Sequence, residues 1–343
     1  MLYPAIFDLH CDTLTAFMDV SQDTFLSLER PESRTQAMTA LRSCAQGNDT
    51  LNDPRHQFAF CKIPAGVRWA QCCAIFVPDS IKGADAADYY TFHRDSFSRQ
   101  MSALEGLLSP CGSAEEVEKA WSTGKAAALL TVENASALAG DLSRVEQLRR
   151  DGVVMVTLTW NGANELGSGH STDGGLTPFG KAAVREMEHQ GILADVSHLN
   201  DRGFFDMLDV CQKPFTASHS NARAVCPHRR NLTDEQIREM VERKCLIGLN
   251  YYNAFLRSDG TKATLEDLWR HVEHFLELDA GDCLALGSDF DGADLPPCLN
   301  APKQIVGLKE FFRKKGLSPT LTEQILWRNA LDFFKANVKK FPA

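Results

Sequence analysis

Eight apolar runs punctuate the chain: Tyr3–Asp8, Trp69–Val77, Ala126–Thr131, Val153–Thr159, Ile192–Val196, Pro214–Ala217, Leu246–Asn250 and Cys283–Leu286. They are near-continuously apolar rather than alternating, as expected of strands in a parallel sheet with both faces covered. Segments of helical period lie between them, among them Gly180–Gln190 and Leu265–Leu278. Strands alternating with helices at these lengths predict an α/β protein, and specifically a (β/α)8 TIM barrel.

A barrel of roughly 250 residues plus insertions accounts for a chain of 343 residues. A single domain over 1–343 is therefore expected, with no linker or internal repeat beyond the strand–helix alternation. The main insertion falls at about 13–68, between the first two runs. It includes polar stretches such as Ser43–His56 and is expected to lay a helix and loops over one end of the barrel.

Chemistry gathers at the ends of the runs. His10 and Asp12 form an HxD pair after the first, Glu133 follows the third, His198 and His219 follow the fifth and sixth, and Asp289 follows the eighth. In a TIM barrel the C-terminal strand ends converge on one mouth, where catalytic groups sit. Residues two apart in an extended segment point the same way, so His10 and Asp12 can reach one ion. Imidazole and carboxylate together suit zinc or a similar cation. Glu133, a carboxylate directly after a buried strand, is costly unless a cation pairs with it. Its two oxygens can bridge two metals held within about 4 Å of each other. Asp289 is placed to shuttle a proton, and Asp291 less well placed because the following glycine suggests a turn. In the Arg229-Arg230-Asn231 stretch after the sixth run, a guanidinium can grip a substrate carboxylate in a bidentate fork.

Other candidates drop out. His271 and His274 lie on an amphipathic helix and are expected to pack at the surface, with His189 and His228 exposed. Ser218 and Ser220 lack a nucleophile-elbow glycine pattern. No glycine spacing matches a dinucleotide fingerprint or a phosphate loop.

A net charge of −9 argues against nucleic acid as a partner, because phosphate binding needs a basic surface. No run approaches the roughly 18 apolar residues of a membrane span, so no membrane partner is expected. Met1 leads straight into the first strand without the basic and apolar regions of a secretion signal. Eleven cysteines, an odd number spread through apolar segments, fit free core thiols in a reducing cytoplasm better than a disulfide framework. The expected location is cytoplasmic.

Taken in order, Phe7-Asp8-Leu9-His10-Cys11-Asp12, Val132-Glu133, Asp195-Val196-Ser197-His198, Ser218-His219-Ser220, Arg229-Arg230-Asn231 and Gly287-Ser288-Asp289-Phe290-Asp291-Gly292 resemble the membrane (renal) dipeptidase family. These are zinc-dependent dipeptidases of the metal-dependent hydrolase (amidohydrolase-like) superfamily. The resemblance implies two zinc ions, one on His10 and Asp12, the other on His198 and His219, with Glu133 bridging them. It implies catalysis through a binuclear zinc-bound hydroxide, Asp289 as acid/base and Arg230 on the dipeptide's C-terminal carboxylate. There is one departure. Where better-known members carry a substrate-contacting histidine after the fourth strand, this chain reads Leu158-Thr159-Trp160-Asn161. Trp160 is then expected to line a substrate pocket, with Asn161 or His170 supplying the missing hydrogen bond. Two other readings stay open: a hydrolase of the same fold acting on another small amide, lactone or ester, and a catalytically impaired metal-binding homologue. The expected partner is a small-molecule dipeptide, and a homodimer is left open.

Overall fold

In the computed structural model, which describes residues 4–15 and 50–339, nine parallel strands form one sheet: β1 (Ala5–Cys11), β2 (Arg68–Phe76), β3 (Leu108–Pro110), β4 (Ala126–Glu133), β5 (Val153–Thr157), β6 (Leu193–Asp195), β7 (Thr216–Ala217), β8 (Leu246–Leu249) and β9 (Leu284–Leu286). The order β2-β1-β9-β8-β7-β6-β5-β4 closes on itself because β2 also pairs with β4, from Ala70 opposite Ala127 to Phe76 opposite Glu133. Eight strands with intervening helices make the expected (β/α)8 barrel. The ninth, β3, pairs only with the start of β4, Leu108 opposite Ala126.

Burial explains the unbroken apolar runs. Every residue of β1 and of β5 to β9 is buried. Outside the ring, the Phe7 ring meets Phe334 of the C-terminal helix Asn329–Asn337 with centroids 5.0 Å apart.

Several helices begin at side-chain caps that the sequence supplies. Helix Pro178–Gln190 has the Thr177 hydroxyl accepting from Gly180 N, proline in its first turn and Gly191 at φ +75° closing it. A capping box between Thr264 and Asp267 opens Leu265–Glu277. Both match the helical periods in the sequence. His271 departs from its expected surface position. It is fully buried, its Nδ1 accepting from Ala222 N at 3.2 Å and its Nε2 lying 3.2 Å from the Leu256 carbonyl. The narrow polar edge of this strongly amphipathic helix faces a backbone donor rather than water.

Of the 13–68 insertion, residues 16–49, and the helix expected there, lie outside the described residues. Thr50–Val67 runs through short helical turns at Thr50–Asn52 and Phe60–Lys62. It is tied to the barrel mouth where Gln57 N donates to Asp291 Oδ1 at 2.7 Å. Among the described residues, no helix is long and apolar enough to cross a membrane.

Candidate metal centre and active site

The parallel strands put their C-terminal ends at one mouth, and those ends and the loops after them carry the predicted site residues. Backbone stitching fixes them. Asp12 N donates to Phe290 O at 2.8 Å and Asp289 N to His10 O at 3.2 Å, locking the end of β1 to the loop after β9. His198, Asp289 and Asp291 all take positive φ, at +72°, +64° and +63°. Such backbone is unfavourable outside glycine and persists where the surroundings over-determine it, commonly at functional sites.

His10, Asp12, Glu133, His198, His219 and Asp289 come together in one buried cluster. His10 Nε2 is 3.4 Å from Asp12 Oδ2 and 3.6 Å from Glu133 Oε2, and its ring stacks on His219 with centroids 3.9 Å apart. His198 Nε2 is 2.9 Å from Glu133 Oε1 and 3.0 Å from His219 Nε2. Among the described residues, two triads have ligand atoms close enough to hold a cation: His10 with Glu133 and His219, and His10 with Asp12 and Asp289.

Hydrogen bonds on the far side of each ring set the tautomers. His198 Nδ1 lies 3.0 Å from Asn161 Oδ1, which can only accept, so Nδ1 holds the proton. The Ser218 hydroxyl donates to Asp195 Oδ2 at 2.6 Å, and therefore accepts from His219 Nδ1 at 2.7 Å. Both rings then turn the lone pair of Nε2 toward the other across 3.0 Å, beside a carboxylate. Burial holds both imidazoles well below their ordinary pKa, with Arg230 adding to it. Neutral rings with facing lone pairs fit a cation between them.

The carboxylates agree. Burial, then the Asp12 charge, push Glu133 up to about 8. Burial also raises Asp289, whose Oδ2 accepts from Asn250 Nδ2 at 2.9 Å. Burial alone would depress His10, but Asp12 and Glu133 outweigh it and raise its pKa well above the ordinary value. His10 Nε2 and Asp12 Oδ1 are buried without a hydrogen bond. Packed acids competing for too few protons, with orphaned ligand atoms among them, fit divalent metal. Gly292 makes room for Asp12: a Cβ there would lie 2.0 Å from its Oδ2 and 2.7 Å from Asp289 Oδ1.

The cluster floors a cavity of about 720 Å³, a size suited to a small ligand. Trp160 lines it, its ring 4.9 Å edge-on from that of Phe76, and so does half-buried Asn161. Arg230 is buried behind the wall, its Nη2 donating to His219 O at 3.3 Å and its Nε without a partner. Burial brings this guanidinium down to about 10. Its neighbour Arg229 is exposed.

Several pocket residues were not singled out in the sequence, or, in the case of His170, only as a candidate donor. His228, expected to be exposed, is half-buried on the wall, where its Nδ1 accepts from Arg230 N at 3.2 Å. His170, which lines the same wall, has a buried, unpartnered Nδ1. Its backbone N donates to His198 O at 2.8 Å. Burial, then Arg230, bring the ring down to about 4. His56, Phe76, Tyr252 and Phe255 complete much of the rest. No local motif marks them, because long-range folding alone brings them to the mouth.

Comparison with known proteins gives the family and the fold. The family model described as membrane dipeptidase (Peptidase family M19) matches residues 5–340. A Klebsiella pneumoniae protein from the region 5′ of pqqA is 33% identical over 241 residues, covering 67% of this chain and 89% of that one. Dipeptidase tcpJ of Claviceps purpurea is 30% identical over 268 residues, 74% of this chain and 60% of that one. The crystal structure of a metallo peptidase, dipeptidase AC, superposes with a TM-score of 0.83 at 26% identity, covering 98% of this chain and 99% of that one.

Proposed function

Because the chain belongs to the membrane dipeptidase family (Peptidase family M19), we propose that it hydrolyses the peptide bond of free dipeptides with two zinc ions. The observation that carries this reading is the cluster of His10, Asp12, Glu133, His198, His219 and Asp289, with its orphaned ligand atoms and facing lone pairs, at the floor of a cavity of dipeptide size. His10 and Asp12 would hold one ion, His198 and His219 the other, with Glu133 shared between them. When bound, the ions supply Lewis-acid polarisation of the scissile carbonyl and lower the pKa of an attacking water.

The chain's own groups do the rest. Asp289 takes the proton of the attacking water on its carboxylate and delivers it to the departing amine nitrogen, oriented by the Asn250 amide. Arg230, with an open Nε, binds the substrate's C-terminal carboxylate in this reading. The acidic groups follow β1 and β9, whereas Arg230 and His228 follow β7, with β8 between it and β9, and His170 follows β5, opposite β9. A zwitterionic dipeptide matches that polarity, amine toward the first side and carboxylate toward the second. Trp160 and Phe76 form an apolar wall for a side chain. With the Asn161 oxygen engaged by His198, the Asn161 Nδ2 and the His170 imidazole are the groups left to donate to the substrate. A reducing, cytoplasmic setting is proposed from the cysteines, ten of which are free among the described residues.

The test is turnover of a mixed set of free dipeptides by the zinc-loaded protein, beside the same dipeptides amidated at the C-terminus. Hydrolysis confined to the free forms supports the reading. Equal hydrolysis of both points to a broader amide or ester hydrolase, and none at all to an impaired metal-binding homologue.

A further inference from the structure

His56 lies in the segment ahead of β2, outside every role given so far, and is 4% exposed. Its position is fixed by a clamp. Gln57 N and Phe58 N donate to the two oxygens of Asp291, at 2.7 and 3.3 Å, and the Thr13 hydroxyl donates to Oδ2 at 2.6 Å. In return Asp291 N donates to Gln57 Oε1 at 2.8 Å, while Gln57 Nε2 donates to Ala293 O at 3.1 Å. From behind, Lys62 Nζ donates to the carbonyls of His56 and Gln57, at 2.6 and 3.0 Å.

This clamp sets His56 on the pocket wall with Nδ1 3.7 Å from Asp291 Oδ1. Nε2 is buried and has no hydrogen-bond partner. Buried polar nitrogens are almost always satisfied, so one held open at a pocket by so many bonds is suited to a ligand atom. A proton on Nδ1, on the Asp291 side, leaves Nε2 as an acceptor. The surroundings select the donor. Apart from Asp12 and Glu133, which the metal would take, Asp289, Asp291 and Asp294 line the pocket, and among the described residues no lysine or arginine does. A cationic donor is favoured there over an anion.

We propose that His56 Nε2 accepts a hydrogen bond from the α-ammonium group of the dipeptide, making His56 a specificity-determining residue that demands a free N-terminus. This rests on the dipeptidase reading and adds a residue to it. The test compares Ala-Ala with its des-amino analogue, propionyl-alanine, on the zinc-loaded protein. The parent is expected to show a KM for Ala-Ala lower by about 10–150-fold, the range for a hydrogen bond to a charged group. His56→Phe should raise KM for Ala-Ala toward that of propionyl-alanine, with kcat changed little and propionyl-alanine unaffected. His56→Gln, whose amide oxygen accepts, should recover part of the difference. Equal KM for both compounds in the parent overturns the inference without any variant, and so does an equal loss on both compounds in His56→Phe or His56→Gln. Turnover of Ala-Ala with the His56 effect missing removes only this assignment, whereas no dipeptide turnover by the parent removes the dipeptidase reading and this with it.

Discussion

Replacing Gly292 with alanine puts a Cβ 2.0 Å from Asp12 Oδ2, 3.0 Å from its Cγ and 2.7 Å from Asp289 Oδ1. Ordinary contact begins near 3.4 Å, so the Asp12 oxygen has to retreat by about 1.4 Å. Its backbone cannot follow, because Asp12 N is bonded to Phe290 O and Asp12 O accepts from Thr15 N, both at 2.8 Å. Overpacking of this kind costs about 1–3 kcal/mol. The functional cost is larger, since site geometry tolerates only about 0.5 Å and a misplacement of about 1 Å can lower activity roughly 10²-fold. Gly292→Ala should therefore fold, bind metal more weakly and lose about 10²-fold in kcat/KM on dipeptides. Thermal melting, metal titration and steady-state kinetics read the three effects. Gly307→Ala is the control: nothing lies within 4 Å of its Cβ, and alanine in that helix should be neutral or stabilising by up to about 1 kcal/mol. A Gly292→Ala protein with parental metal affinity and kcat/KM within about threefold would refute the placement of Asp12 as a metal ligand with Asp289 as the acid/base group beside it.

Asp289→Asn should keep the metals and slow kcat by roughly 10²–10⁴, the range general acid/base groups supply; unchanged turnover removes Asp289 from the mechanism. Arg230→Ala should lower kcat/KM for free dipeptides by about 10–150-fold, from a charge-assisted bond of about 1.5–3 kcal/mol, and leave C-terminally amidated dipeptides as poor as before. Asn161→Ala frees the His198 ring and, through lost orientation of a ligand, should weaken metal affinity by about 10–100-fold; a loss of substrate affinity with metal binding intact would give Asn161 a direct substrate role instead.

Much of this was legible in the chain. The barrel was, because strands buried on every side write themselves as unbroken apolar runs, and the site was, because His10, Asp12, Glu133, His198, His219 and Asp289 follow those runs directly. The short β3 was not, since three residues ending in Pro110 make no pattern. His56 sits in a polar, loop-like stretch and becomes a pocket residue only through its clamp to Asp291, more than 200 positions away in the chain. The Asp195–Ser218–His219 relay was hidden likewise, because a serine beside a histidine shows no sign of the acid on the preceding strand. His228 shows the limit of local polarity: flanked by arginines and a proline, it reads as surface, yet Phe255 packs against its ring with centroids 4.6 Å apart.

The central claim is a two-metal centre, and elemental analysis of the protein after zinc reconstitution and removal of free metal tests it most directly. The geometry predicts about two divalent ions per chain, falling to about one in His198→Ala and in His219→Ala, whose Nε2 atoms face each other in the parent. A chain that retains no ion, or a parent and both variants that retain the same number, would contradict it.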